Sequence, residues 1–181
     1  ALWVYDLALL LRLFAAGFTP WKRSLLRLCF PQSALTFIDD VAQVPANAAL
    51  VAWGARVDAA ALRPGVTVLR VEDGFLRSVG LGDRDPPLSI VVDDLGIYYD
   101  ATTASRLEAL IAGAHHDAAL QRSRALQQRW RDARLSKYNH AREIAPPLRG
   151  DYALVIDQTF GDASIGYGLA DANRFRDMLQ A

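Results

Sequence analysis

The segment VTVLRVEDGFLRS, residues Val66–Ser78, carries the clearest structural signal in the chain. Val66–Val71 consists of β-branched and aliphatic residues with a single charge, a composition typical of a strand buried in a sheet. Glu72, Asp73 and Gly74 follow without a spacer, so a polar loop starts at the carboxyl end of this strand. Because open α/β sheets bind their ligands at that edge, the segment predicts both a parallel sheet and the position of its site.

Strands and helical segments alternate on both sides of this segment, which predicts a Rossmann-like parallel α/β sheet. The predicted elements around it, in chain order, are a helix over Leu2–Ala16, a helix over Trp21–Phe30, strands over Leu35–Ile38 and Ala49–Trp53, a short helical stretch between Trp53 and Pro64, a β-hairpin of Leu88–Val92 with Ile97–Tyr99, helices from Thr103 to Ala112 and from Asp117 to Arg134, a strand over Tyr152–Ile156, and a helix over Asp171–Ala181. Thr19 as N-cap and Pro20 at the first helical position mark the start of the second helix.

The strand–loop–helix pattern begins again after Pro146-Pro147. Clusters of proline and glycine commonly mark boundaries between structural units. We therefore expect residues 1–148 to form one Rossmann-like domain and residues 149–181 to begin a second. The strands Val66–Val71 and Tyr152–Ile156 would then lie in two different sheets, with the loops that follow them facing each other.

The chain of 181 residues has 20 Lys and Arg residues and 20 Asp and Glu residues, so its formal net charge is zero. This balance argues against a nucleic-acid partner, since such partners are bound by an excess of basic groups. Cys29 is the only cysteine, which excludes an internal disulfide. The apolar stretch Ala1–Phe18 is interrupted by Asp6 and Arg12, so it predicts a buried or interfacial helix rather than a membrane span.

The loop after the central strand holds the first candidate site. Asp73 at a strand end suits a nucleophile or a general base, and Gly74 would let a substrate approach closely. Arg77 would pair with an anionic group of the substrate, and Glu72 and Ser78 would also bind substrate. The alternative interpretation is a structural turn, in which Glu72 and Asp73 cap a helix and Arg77 is their ion pair.

The loop Asp157–Gly168 is the second candidate site. It combines three glycines with the polar side chains of Gln158, Asp162 and Ser164 just before a predicted helix. Backbone N–H groups and hydroxyls at a helix start are natural ligands of phosphate, so these residues are candidates for substrate binding. A glycine-rich connection with helix caps is the alternative interpretation.

Two further positions carry polar groups with two interpretations each. Lys137, near the end of the long helix, would either reach the substrate or belong to a C-cap with Asn139. Asp93-Asp94 is interpreted as a turn in preference to a metal site, because Gly96 follows at hairpin spacing. The histidines and the cysteine show no metal-ligand spacing, so we expect neither a metal nor another cofactor.

Four motifs occur in one order: VEDGFLRSVGLG (Val71–Gly82), PPLSIVVDDLGIYYDA (Pro86–Ala101), LSKYN (Leu135–Asn139) and VIDQTFGDASIGYG (Val155–Gly168). In combination they resemble the capsule polysaccharide β-Kdo transferases of the KpsC type. The resemblance covers most of the chain from about Leu50 onward. More loosely, GFTPWKRSLLR (Gly17–Arg27) resembles the start of a transferase module of that family.

The resemblance implies a two-lobed GT-B glycosyltransferase, of which this chain would hold the acceptor-side domain and the start of the nucleotide-sugar (donor) domain. It implies transfer of the acidic sugar Kdo from CMP-Kdo to a Kdo-primed lysophospholipid, with retention and a β linkage, in capsule biosynthesis. The implied location is the cytoplasm, peripheral to the inner membrane, which allows a peripheral membrane contact. The motifs do not distinguish between the two linkages that the family makes.

The resemblance also implies a role for one residue. Asp73 matches the aspartate of the family's EDGF motif, which implies that Asp73 is the catalytic carboxylate and the nucleophile of a double displacement. Two segments of the family's donor lobe, Lys-x-His-Pro and Ser-x-x-Gly-Phe-Glu-Ala-Leu, are not present in this sequence.

Two other functions are compatible with the pattern. One is a sugar- or membrane-associated binding module of the same fold without catalysis. The other is an Asp-dependent phosphohydrolase, because Val155–Thr159 resembles the nucleophile loop of haloacid dehalogenases. That family has a second aspartate two positions after the first, which is absent from Asp157-Gln158-Thr159, and a Mg²⁺ site of that kind needs carboxylates.

Overall fold

The structure, a computed structural model, describes residues 12–81, 85–141, 150–171 and 173–180. Its strands are β1 (Arg12–Ala16), β2 (Ala34–Ile38), β3 (Ala49–Trp53), β4 (Thr67–Asp73) and β5 (Ile90–Asp93). Its helices are α1 (Pro20–Cys29), α2 (Arg106–Ala112), α3 (Asp117–Asp132), α4 (Ala163–Tyr167) and α5 (Arg174–Gln180), with single 3₁₀ turns at Val41–Gln43 and Ala59–Ala61.

The described strands form one sheet in the order β2-β1-β3-β4-β5. β1 to β4 are parallel to one another, and β5 pairs with β4 in the antiparallel direction. The order reverses between β1 and β3, because the chain moves to one side after β1 and to the other side after β3. Such a reversal leaves a crevice at the carboxyl ends of the strands, which is where open α/β sheets bind ligands.

The sheet is buried on both faces, as parallel sheets generally are. Every residue of β3 is buried, and its side chains alternate between two apolar clusters. Ala49, Val51 and Trp53 pack on the face that also holds α1, while Leu50 and Ala52 pack on the opposite face. The two clusters hold the carboxyl edge of the sheet rigid, so the loops that follow β3 and β4 start from fixed positions.

Most of the predicted elements of residues 12–141 are confirmed within a few residues. The predicted strand Ala49–Trp53 and the helix from Asp117 are examples. The helix predicted from Thr103 begins at Arg106 instead, because Ser105 and Glu108 form a capping box in which each side chain binds the other residue's backbone N–H.

The helix predicted over Leu2–Ala16 is wrong where the structure describes it, and the rest of that prediction lies outside the described residues. Arg12–Ala16 is strand β1, which pairs with β2 on one side and β3 on the other. A short apolar run is equally consistent with a buried helix and with a strand covered on both faces, so its pattern does not separate the two.

The predicted hairpin of Leu88–Val92 with Ile97–Tyr99 is also wrong. β5 pairs with β4 instead. Ile97 begins a turn, in which the Asp100 N–H donates to the Ile97 carbonyl. The chain leaves β5 toward α2, because the Asp93 carboxylate accepts backbone N–H groups from both the turn and the start of that helix.

The strand predicted over Tyr152–Ile156 is not formed, and the described residues contain one sheet rather than the two expected. This segment has no strand beside it, and Leu154 and Ile156 are each 73% exposed. An apolar run becomes a strand only where a neighbouring strand takes its backbone hydrogen bonds. The domain boundary near residue 148 stays a prediction.

The first testable prediction concerns Asp93, whose side chain is 1% exposed. Its carboxylate accepts the N–H groups of Leu95 and Gly96, each at 2.9 Å, and of Arg106 at 2.8 Å. Asp93→Ala leaves three N–H groups without this acceptor, so the free energy of unfolding should fall by about 3 kcal/mol, measured by denaturant unfolding.

Asp40→Ala is the matched control, since the Asp40 carboxylate accepts only the Ala42 N–H and is exposed. This control should lower the free energy of unfolding by about 1 kcal/mol or less. Equal losses in the two variants would show that Asp93 does not hold β5 and α2 together.

Candidate active site

Asp73 is the last residue of β4, and its two carboxylate oxygens differ in environment. Oδ2 accepts a hydrogen bond from Arg77 Nε at 2.8 Å. Oδ1 is buried and has no hydrogen-bond partner among the described residues. Buried polar atoms are nearly always hydrogen-bonded, so an unpaired one calls for an explanation. The two oxygens of this carboxylate therefore differ: Arg77 holds one, and the other is unpaired among the described residues.

Arg77 holds the loop behind Asp73. Its side chain is 3% exposed, and its NH1 group donates to Ser78 Oγ at 2.7 Å and to the Asp85 carbonyl at 2.8 Å. Ser78 is also buried and donates to the Gly80 carbonyl at 2.8 Å. The geometry favours the ion-pair interpretation of Arg77 over direct contact with a substrate. Arg77 therefore positions Asp73 directly, and Ser78 contributes by holding the Arg77 guanidinium.

Gly74 does not provide open space for a substrate, contrary to the prediction. A Cβ atom at this position would lie 2.8 Å from Ser89 Cβ and 2.9 Å from the Ser89 carbonyl carbon. The Gly74 N–H donates to the Ser89 carbonyl at 2.9 Å. The glycine is needed because the chain that enters β5 passes directly over the end of β4.

Glu72 lies beside Asp73 and is the second carboxylate of the site. Its Oε1 accepts the Asp73 N–H at 3.0 Å. A Cβ atom on Gly54, the residue after β3, would lie 3.1 Å from Glu72 Oε2 and 2.7 Å from the Tyr99 hydroxyl. Burial raises the pKa of Glu72, and the ammonium groups of Lys22 and Lys137 act in the opposite direction. Glu72 is therefore a stronger base than an ordinary glutamate.

Lys22 is a residue of the site that the sequence analysis did not identify. It extends from the first turn of α1, and its Nζ lies 3.3 Å from the centre of the Trp53 ring at the end of β3. Burial lowers the pKa of Lys22 to about 8, although the carboxylates of Glu72 and Asp73 favour its charged form. Only the fold brings these residues together, since they lie far apart in sequence and follow no shared motif.

Lys137 lies next to the first loop, as a candidate substrate residue should. Its carbonyl accepts the N–H groups of Arg77 at 3.0 Å and of Ser78 at 3.3 Å, which docks the LSKYN segment on the loop. Its ammonium lowers the pKa of Glu72. Asn139 does not cap α3 but closes a turn by donating to the Ser136 carbonyl at 2.9 Å.

The candidates of the second loop, Gln158, Asp162 and Ser164, form one hydrogen-bonded group. Gln158 Nε2 donates to Ser164 Oγ at 3.0 Å, and Asp162 caps α4 by accepting the Ser164 N–H at 2.9 Å. These side chains are more exposed than those of the first loop. The second loop therefore offers them to solvent or to a ligand.

Two contacts join the second loop to the segment that follows β5. The Ala101 N–H donates to the Tyr167 carbonyl at 2.9 Å, and the rings of Tyr99 and Tyr167 lie 6.0 Å apart. Burial, Asp73 and Asp162 all raise the pKa of Tyr138. Carboxylates of both loops therefore act on the same tyrosine.

The Asp93-Asp94 pair is a turn, as predicted, and Asp94 pairs with Arg106 through two bonds of 2.8 and 2.7 Å. Within the described ranges, no group of three or more His, Cys, Asp or Glu side chains could hold a metal ion. No helix of the described residues is long and apolar enough to cross a lipid bilayer.

The comparisons with known proteins point to capsule polysaccharide biosynthesis. Residues 48–122 match the family model described as capsule polysaccharide biosynthesis protein. The chain is 47% identical over 148 residues to capsule polysaccharide modification protein LipA of Neisseria meningitidis serogroup B, covering 73% of this chain and 21% of LipA. It is 36% identical to lipopolysaccharide-processing protein LpsZ of Rhizobium meliloti, covering 91% of this chain and 42% of LpsZ. The chain thus spans less than half the length of these relatives.

Two solved structures share the fold. KpsC of Thermosulfurimonas dismutans, β Kdo 2,4 transferase, superposes with a TM-score of 0.74 and 33% identity over 92% of this chain and 55% of that chain. The β Kdo 2,7 transferase of KpsC from the same organism superposes with a TM-score of 0.62 and 30% identity, over 86% of this chain and 51% of that chain. The predicted Rossmann-like α/β fold is confirmed by these superpositions. In sequence and in fold, the chain is therefore related to the capsule polysaccharide biosynthesis proteins, with the KpsC Kdo transferases as structural neighbours.

Proposed function

We propose that the protein is a retaining β-Kdo glycosyltransferase that transfers Kdo from CMP-Kdo to a Kdo-primed lipid in capsule biosynthesis. The observation that carries this proposal is the state of the Asp73 carboxylate. Oδ2 is fixed by Arg77, whereas Oδ1 is buried without a partner among the described residues. A nucleophile needs this combination of a fixed position and an unused oxygen.

In the first step, Asp73 Oδ1 attacks the anomeric carbon of Kdo. The bond from that carbon to the phosphate oxygen breaks, and CMP leaves with the electron pair. A covalent bond between the sugar and Asp73 forms on the opposite face of the ring. The Arg77 guanidinium, already bonded to Oδ2, holds the carboxylate in line during this attack.

In the second step, a hydroxyl of the acceptor displaces Asp73 from the anomeric carbon. Two inversions give net retention, as in glycosidases that use a carboxylate nucleophile. The hydroxyl must give up its proton, and we assign Glu72 as the base that accepts it. Glu72 lies directly beside Asp73, and burial raises its pKa, so it accepts a proton more readily than an exposed glutamate.

The second loop is proposed to bind the donor. Gln158 and Ser164, with the backbone N–H groups near them, would line the CMP-Kdo side of the site. The contact of the Tyr167 ring with Tyr99 supports this placement, because the Tyr99 hydroxyl and Glu72 Oε2 both lie next to Gly54. Residues 149–181 would then be the first part of the donor domain of a GT-B enzyme, as the sequence predicted.

The acceptor and the location are part of the same proposal. The acceptor would be a Kdo-primed lysophospholipid at the cytoplasmic face of the inner membrane, with a peripheral contact to that membrane. We also propose the 2,4 linkage, since the superposition is better on the KpsC β Kdo 2,4 transferase than on the β Kdo 2,7 transferase.

Asp73→Asn tests the nucleophile in the full-length protein. The amide has nearly the same shape but cannot attack the anomeric carbon. We expect kcat for transfer from CMP-Kdo to fall by about 10³-fold or more. The variant also leaves the buried Arg77 guanidinium without its charged partner, so the thermal unfolding temperature should fall, and kcat is measured at a temperature where the variant is folded.

Asp39→Asn is the matched control, because Asp39 directly follows β2 at the same edge of the sheet but is fully exposed. Its kcat should equal that of the parent. A folded Asp73→Asn variant that transfers Kdo at close to the parent rate would exclude Asp73 as the nucleophile. Absence of transfer by the parent protein, with Kdo still bound, would favour the non-catalytic binding module.

Ser164→Ala tests the donor loop. It removes the hydroxyl that Gln158 contacts, so the KM for CMP-Kdo should rise while the KM for the acceptor and the fold stay unchanged. Steady-state kinetics with each substrate varied in turn makes the measurement. Ser123→Ala, at an exposed position of α3, is the control. An unchanged KM for CMP-Kdo would remove Ser164 from the donor site.

The linkage has its own test. NMR spectroscopy of the product formed from CMP-Kdo and a short Kdo acceptor should show a β-configured Kdo attached to the 4-hydroxyl. Attachment to the 7-hydroxyl would contradict the assignment of linkage, and an α configuration would contradict retention.

A further inference from the structure

The carboxyl edge of the sheet holds a cation that the proposed mechanism does not use. The sheet order reverses between β1 and β3, and the side chain of Lys22 lies over Trp53 at the end of β3. Crevices at such reversals are the usual ligand sites of open α/β sheets. Asp73 ends the next strand of the sheet, so the cation borders the proposed site of reaction.

Trp53 fixes the position of the cation. The Trp53 ring is part of the core and 5% exposed, and Lys22 Nζ lies 3.3 Å from its centre. The face of an indole attracts a cation, and the attraction grows when the cation is desolvated. A flexible lysine side chain is thereby held in one place, as a residue that binds a ligand needs to be.

The ammonium of Lys22 keeps its hydrogen-bond donors available. Among the described residues, no carboxylate oxygen lies within ion-pair distance of Nζ, although Glu72 and Asp73 act on its charge from farther away. A half-buried cation without a carboxylate in contact loses part of its hydration and receives no ion pair in return. An anionic group of a ligand would supply that pair.

A second cation lies near this edge of the sheet. Arg56, which follows β3, is exposed and acts on the charge of Lys22, and it lines a neighbouring cleft of about 310 Å³ at the ends of β1 and β2. Arg23 donates to the Phe18 carbonyl and pairs with Asp39. Among the described residues, neither Lys22 nor Arg56 has a carboxylate within ion-pair distance.

We propose that Lys22 binds the carboxylate of an acidic sugar and so selects sugar acids over neutral sugars. The ammonium donates to the sugar carboxylate while the anomeric centre or the attacking hydroxyl lies at Asp73 and Glu72. The carboxylate belongs to either the donor sugar or the acceptor sugar, since both are Kdo. The inference rests on the proposed transferase function.

The experiment compares Lys22→Gln, Lys22→Arg and the parent in the full-length protein. Each is assayed with CMP-Kdo and a Kdo acceptor, and then with the carboxylate of the donor or of the acceptor replaced by a carboxamide. A hydrogen bond between two charged groups contributes about 1.5–3 kcal/mol, which corresponds to about 10- to 100-fold in kcat/KM.

We expect the parent to prefer one carboxylate substrate over its carboxamide by that factor. Lys22→Gln should lose the preference, and Lys22→Arg should keep most of it. The substrate whose carboxamide shows the effect, donor or acceptor, identifies the source of the bound carboxylate. Arg27→Gln, an exposed position on the same helix, should leave the preference unchanged.

A pH profile provides a second readout. Glu72 and Asp73 of β4, Arg56 after β3 and Arg77 of the first loop are the charged groups that act on Lys22. Because burial lowers the pKa of Lys22 to about 8, the cation is present below that pH and is lost above it. The preference for the carboxylate should therefore decline above pH 8 in the parent and persist in Lys22→Arg.

Two results would overturn the inference. If Lys22→Gln reduces transfer of the carboxylate and carboxamide substrates equally, Lys22 only positions Asp73. If the variant changes nothing, Lys22 has no role. Failure of the transferase proposal can be distinguished from failure of this inference. If the protein shows no turnover, calorimetry with free Kdo and with its carboxamide still measures whether the carboxylate contributes to binding.

Discussion

The buried ion pair between Asp73 and Arg77 is the interaction on which the site depends. Arg77 Nε donates to Asp73 Oδ2 at 2.8 Å, and the same guanidinium is bonded to Ser78 and to the Asp85 carbonyl. Its backbone N–H joins the loop to Lys137. A buried charge requires a paired partner, so replacing Arg77 would free Asp73 and detach two segments at once.

The same pair holds the carboxylate that the proposed mechanism uses as its nucleophile. Arg77 compensates the charge of Asp73 through one oxygen, and the other oxygen has no partner among the described residues. Glu72 and Lys22 add a base and a cation on the same side of the sheet edge. The proposed reaction needs these three functions, which are a nucleophile, a proton acceptor and an anion-binding group, within one small volume.

The sequence predicted the parts of the structure whose signal is local. β3 and β4 follow from their apolar runs, although β4 continues through Asp73, two residues beyond its predicted end at Val71. β1 was assigned to a helix because apolar clusters cover both faces of the sheet there, which leaves no alternation in its sequence. Lys22 was missed because its position over Trp53 arises from the packing of α1 on the sheet, a long-range contact without a sequence pattern. The role of Gly74 was misjudged for the same reason.

The most direct test of the central claim is to locate the covalent intermediate. The full-length protein is incubated with CMP-Kdo in the absence of acceptor, quenched in acid, digested and analysed by mass spectrometry. Our account predicts one added Kdo unit on the peptide that contains Asp73, and its disappearance when acceptor is supplied before the quench. A Kdo adduct on a different residue, or rapid transfer by a protein that never carries an adduct at Asp73, would contradict the account.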